Sequence, residues 1–98
     1  MYVIHAKSSK VEKAFDRLLS PLSDTIKSKI IKTLAISPKT TTSQSSITGK
    51  IEKKRKFWQY YVTGGDRIIY DVVDKPKKIV IILFVGNHND ASIFLRNN

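Results

Sequence analysis

The chain has 98 residues, enough for one domain and too few for two with separate cores. Lys and Arg number 18 against 8 Asp and Glu, a formal net charge of +10, while 41% of residues are hydrophobic. That balance describes a basic globular domain, not a disordered tail, and the absence of cysteine excludes disulfide scaffolds, thiolate metal sites and cysteine nucleophiles. The longest apolar run, Ile79 to Gly86, falls far short of the roughly 20 residues of a membrane span, so no membrane association is expected. Met1 to His5 carries no basic segment leading into an apolar one, so no secretory signal is expected and the cytoplasm is the simplest location.

In chain order, Tyr2 to Ala6 is β-prone and predicts a first strand, on which His5 reads as structural. Ser8 or Ser9 is placed to cap a helix. Val11, Phe15, Leu18, Leu19 and Leu22 recur with helical spacing, and Ile26, Ile30, Ile31 and Leu34 form a second such stripe. Ser20-Pro21 separates the two, with Pro21 suited to the first turn of the second helix, and Ser37-Pro38 ends it. So short a break predicts an antiparallel helical hairpin. Pro38 to Ser46 is polar and aperiodic and reads as an exposed loop.

The second half is strand-rich. Lys50 to Lys56 reads as a basic turn leading into a strand over Phe57 to Val62. Thr63 to Asp66 is a turn signal, Arg67 to Val73 a strand and Asp74 to Lys77 another turn. Ile79 to Val85 is apolar at nearly every position, which predicts a central strand covered on both faces. Gly86 to Asp90 reads as a loop, and Ser92 to Leu95 as a short final strand or a helical turn. The whole is a single α+β domain over residues 1–98, ordered β-α-α-β-β-β(-β), with an antiparallel sheet and the hairpin packed on one face.

Three features bear on chemistry. Lys50, Lys53, Lys54, Arg55 and Lys56 run into Trp58, Tyr60 and Tyr61, and cations interleaved with flat rings suit RNA. The plainer alternative is a solvated turn and a strand whose rings face the core. Arg67 opens an apolar strand after Gly64-Gly65-Asp66, where it can hold a phosphate or pair locally. His88 follows the buried strand, placed for acid–base work or simply exposed on a loop. Two distant histidines without nearby carboxylate spacing give no metal site, and no glycine-rich nucleotide motif is present, so neither metal nor cofactor is expected.

The segments Ile47-Thr48-Gly49-Lys50, Trp58-Gln59-Tyr60 and Gly65-Asp66-Arg67-Ile68-Ile69-Tyr70-Asp71-Val72, with the Gly86-Asn87-His88-Asn89-Asp90 loop, resemble the RelE/ParE superfamily of toxins. The resemblance extends over nearly the whole chain, including its length, basicity and helical hairpin. It implies a type II toxin–antitoxin toxin: a ribosome-dependent endoribonuclease that cleaves mRNA in the A site, masked by a cognate antitoxin. Its reaction is a metal-independent attack of a ribose 2′-OH on the adjacent phosphate. On this resemblance Arg67 matches the arginine at the scissile phosphate, and His88 falls where relatives carry an arginine or histidine, as general acid or phosphate stabiliser. Phe94 stands where RelE carries a functional tyrosine and is left to stack on a base. Trp58 and Tyr60 stand where RelE carries two lysines, so the general base is open between Glu52, Tyr60 and Tyr61. Two alternatives remain: a ParE-like inhibitor of DNA gyrase, and a catalytically weak homologue that binds RNA or the ribosome.

Overall fold

The computed structural model describes residues 1–40, 50–54, 56–62 and 64–98. Its elements run β1 (Val3–Ala6), α1 (Ser9–Leu19), α2 (Asp24–Ile36), β2 (Ile51–Lys54), β3 (Phe57–Tyr61), β4 (Asp66–Val73), β5 (Ile79–Asn87) and α3 (His88–Asn97). Five strands form one sheet in the order β1-β5-β4-β3-β2. The pairs from β2 to β5 are antiparallel hairpin neighbours, and β1 lies parallel to β5. The expected antiparallel sheet is therefore mixed. The hairpin between β1 and the rest returns the chain to the sheet's far edge, and parallel pairing needs such a crossover.

Both hairpin helices start at serine caps. Ser8 Oγ accepts from Val11 N and Ser23 Oγ from Ile26 N, each at 3.3 Å. The second helix begins at Asp24, so Pro21 lies in the connecting turn rather than in the helix. Phe15, Ile30 and Leu34 enter the main core with Ile51, Tyr60, Val62, Ile68, Tyr70, Val80 and Ile82 from the sheet. Tyr70 donates a buried hydrogen bond of 2.6 Å to the carbonyl of Pro38, tying the end of the hairpin to mid-sheet.

Three expectations change in the second half. Residues 86–90 are not a loop but the end of β5 and the first turn of α3. Ile51–Lys54 is an edge strand, not a turn: Ile51 is fully buried opposite Tyr60, while Lys53 and Lys54 stay exposed. Charge had hidden a strand that has one buried residue, and edge strands commonly carry lysine. The C-terminal segment is a helix of ten residues. Asn87 caps it by accepting from Asp90 N at 2.8 Å, and Ala91, Phe94 and Leu95 supply the inward stripe. That stripe packs with Ile69, Phe84 and Phe57 in a second, smaller core on the sheet face opposite the hairpin. Thus β5 is covered by α1 on one side and α3 on the other, as its uninterrupted apolar run predicted.

The far end of the sheet carries an exposed clasp. Tyr2 Oη donates to Asp74 Oδ1, and Lys39 Nζ lies 2.8 Å from Asp74 Oδ2. Lys39 and then Tyr2, through these hydrogen bonds, hold the Asp74 carboxyl below its ordinary value of 3.8. A lowered native pKa contributes stability above the ordinary value and loses it as pH falls through the native one. Urea midpoints of wild type and Asp74→Asn should therefore differ at pH 6 and converge towards pH 3. A constant difference would show that the clasp adds nothing as an ion pair. The effect is small because the pair is exposed.

Candidate functional site

The turn between β3 and β4 places the key arginine. Gly64 and Gly65 have φ of 88° and 90°, a conformation that side-chain-bearing residues rarely adopt. This reversal aims two carbonyls at the Arg67 side chain: Nη1 donates to Gly65 O at 2.8 Å and to Asp66 O at 3.3 Å. Arg67 is only 8% exposed. Its guanidinium lies 3.9 Å from the centroid of the Tyr61 ring, directly across the β3–β4 pair. A desolvated cation over a ring contributes about 2 kcal/mol, and here it fixes the fork's plane.

His88 comes to the same point from the other side. It is the first residue of α3, one position beyond β5, and is exposed. Its Nδ1 lies 3.3 Å from Arg67 Nη2. A guanidinium has only donors, so Nδ1 accepts and the ring proton sits on Nε2. The free backbone N–H groups at the start of a helix add partial positive charge beside the imidazole. Gly86 is paired with Arg67 across β4–β5, and a Cβ there would lie 2.8 Å from the Phe84 ring.

Two further groups complete the cluster. Tyr61 Oη donates to Glu52 Oε1 from the neighbouring strand. Lys50 Nζ lies 3.9 Å from Glu52 Oε2 and 5.2 Å from the Tyr61 centroid. Burial first, and then the hydrogen bond to Glu52, raise the Tyr61 pKa, so Tyr61 is a neutral phenol that donates. Lys50, Glu52, Tyr61, Arg67 and His88 thus form one connected set on the sheet face beside α3. It holds a carboxylate, cations and an imidazole within a short span of surface.

The remaining expected residues divide. Lys53 Nζ lies 5.4 Å from the Trp58 ring and Lys56 Nζ 5.2 Å from the Phe57 ring, along the β2–β3 hairpin, with Lys54 exposed beside them. Arg55 lies outside the described residues, as do Ile47, Thr48, Gly49 and the loop segment 41–46. Tyr60 is fully buried in the main core, and burial raises its pKa. It cannot stack on RNA or act as a base from there, so both roles are withdrawn for it. Trp58 faces the same side as Tyr60, away from the Arg67 cluster, and is half-buried at the core's edge. Phe94 is held between Phe84, at 5.3 Å, and Phe57, at 5.9 Å, so its ring serves the small core. The local pairing open to Arg67 in the sequence is realised with the backbone, through the carbonyls of Gly65 and Asp66.

Among the described residues there is no group of three or more His, Asp or Glu placed to hold a metal ion, and no helix is long and apolar enough to cross a membrane. No protein-family model matches the chain, and no curated protein does. Solved structures do. A copper-bound mutant toxin from Helicobacter pylori aligns with a TM-score of 0.58 at 24% identity, over 92% of this chain and 98% of that one. YoeB in its complex with YefM from Staphylococcus aureus aligns at 0.55 and 16% identity, over 90% and 98%. YafQ from E. coli aligns at 0.54 and 19% identity, over 96% and 99%.

The chain has the RelE-like toxin fold.

At these identities the likeness is one of fold, and it runs end to end in both directions. In this chain the Arg67 cluster sits where β2, β3, β4, β5 and α3 come together, and it is built from residues 50 to 88.

Proposed function

We propose that this protein is the toxin of a type II toxin–antitoxin system and a ribosome-dependent endoribonuclease that cleaves mRNA in the A site. The observation that carries this reading is the contact between Arg67 and His88, backed by Tyr61 and Glu52. Cleavage by an internal 2′-OH needs three things: a base for the hydroxyl proton, positive charge for the phosphorane, and an acid for the leaving 5′ oxygen. Glu52 is the base, because Tyr61 is a donor and Tyr60 is buried. Arg67 and Lys50 supply charge, and the exposed His88, as the imidazolium formed once phosphate takes the place of Nδ1 on the Arg67 donors, gives the proton to the leaving 5′ oxygen. A phosphate oxygen entering between Arg67 and His88 receives donors from both. The 2′ oxygen forms its bond to phosphorus as the 5′ oxygen leaves, giving a 2′,3′-cyclic phosphate and a 5′-hydroxyl. The exposed lysines of the β2–β3 hairpin hold ribosomal and messenger RNA nearby.

A cognate antitoxin masks the site. The net charge of +10 favours an acidic partner. A groove of about 460 Å³ on α2, floored by Ile31, Ala35, Ile36 and Met1 and rimmed by Lys27 and Lys32, suits an amphipathic acidic segment.

The test is inducible expression of wild type and His88→Ala with mapping of mRNA 5′ ends. Wild type should arrest growth and cut within translated codons. His88→Ala should lose cleavage by about 100-fold or more, since general acid catalysis contributes about 10²–10⁴. The variant should fold, because His88 is exposed. Arrest without cuts would move the target elsewhere, DNA gyrase first. Equal cutting by the variant would remove His88 from the mechanism.

A further inference from the structure

We propose that Tyr61 is a positioning residue that aligns Glu52 and Arg67 together, an inference that rests on the nuclease reading above. The sheet order makes this possible. β3 lies between β2, which carries Glu52, and β4, which carries Arg67, so it borders both strands. Tyr61 is directly opposite Arg67 in the β3–β4 register. Glu52 is opposite Gln59, which makes Tyr61 its diagonal neighbour, a separation that a tyrosine spans.

The one side chain uses both of its parts. Its hydroxyl donates to Glu52 Oε1, and its ring face carries the Arg67 guanidinium at 3.9 Å. The ring is half-buried. A hydrogen bond given to the carboxylate fixes its orientation, which a base needs if it is to reach the hydroxyl proton. Tyr61 does not take the 2′-OH proton itself. That would need a phenolate, and burial together with Glu52 works against one. Lys50 approaches the other Glu52 oxygen and the same ring, so it supports the arrangement from the strand edge.

Tyr61→Phe and Tyr61→Leu separate the two parts. The first keeps the ring under Arg67 and removes only the hydroxyl; the second removes both. The experiment is kcat and KM for mRNA cleavage on programmed ribosomes by purified wild type and both variants, with thermal unfolding to confirm folding. For Tyr61→Phe kcat should fall about tenfold with KM unchanged, because the Glu52 carboxylate is no longer held in place. For Tyr61→Leu kcat should fall about tenfold further at the same KM, because Arg67 loses its support as well. A Tyr61→Phe variant with wild-type kcat and KM would overturn the role, while wild-type cleavage would leave the nuclease reading standing. Cleavage abolished in Tyr61→Phe would also overturn it, making Tyr61 a direct proton carrier. Absence of cleavage by wild type would sink the nuclease reading and this inference with it.

Discussion

Arg67→Ala should reduce the single-turnover rate of mRNA cleavage about 100-fold on ribosomes saturated with the protein. The magnitude follows from what the side chain does. Removing one preorganised donor to a developing negative charge typically costs about 10²–10³ in rate. Arg67 is preorganised more tightly than most: two carbonyls of its own turn and the Tyr61 ring fix the guanidinium before substrate arrives. Arg67→Lys should recover little, because an ammonium neither forks onto a phosphate nor lies flat on a ring. On the proposed reading the loss should fall on the rate rather than on ribosome affinity, which that reading assigns to the exposed lysines of the β2–β3 hairpin. Urea unfolding of the same variants is the companion measurement. A variant that cleaves at the wild-type rate would make Arg67 a clamp for its turn and nothing more.

Leu34→Ala should have the largest effect on stability, about 2–5 kcal/mol, by leaving a cavity under the hairpin. Leu34 is fully buried in the main core and comes from α2, which with α1 supplies the helical cover of that sheet face. Domains of this size have a total stability of about 5–15 kcal/mol. The melting temperature should therefore fall by about 10 °C or more. Ile31→Ala, three residues away on the same helix, is the control. Ile31 is 39% exposed, so its truncation should cost under about 1 kcal/mol. Equal losses at the two positions would mean that the hairpin does not dock as described.

Much of this architecture is legible in the chain because hydrophobic period reports directly on burial. The stripes around Phe15 and around Ile30 and Leu34 repeat with helical spacing, and both helices form where those stripes lie. The unbroken apolar run at Ile79 requires cover on two faces, and β5 has it. The final helix was less legible. Its stripe is short, and its start depends on a cap at Asn87 placed directly at the end of a strand. β2 was hidden because three of its four residues are charged, and only its pairing with β3 makes it a strand.

For the candidate site, the sequence by itself determined the chemical inventory. It singled out Arg67 and His88, and it put a carboxylate, lysines and tyrosines in the run before them. It also determined the one-residue alternation that sends Tyr60 and Tyr61 to opposite faces. Only the tertiary structure decided which face is which. Register did that: Tyr60 lies opposite Ile68 and goes into the core, while Tyr61 lies opposite Arg67 and enters the site. A shift of one residue would exchange them, and nothing local to Tyr60-Tyr61 specifies the register. The pairing of Arg67 with His88 is likewise nonlocal, across 21 positions of chain, and exists because β5 ends beside the start of β4. Local pattern determines which residues share a face; the long-range pairing of strands determines which face is buried and which of the remaining groups meet.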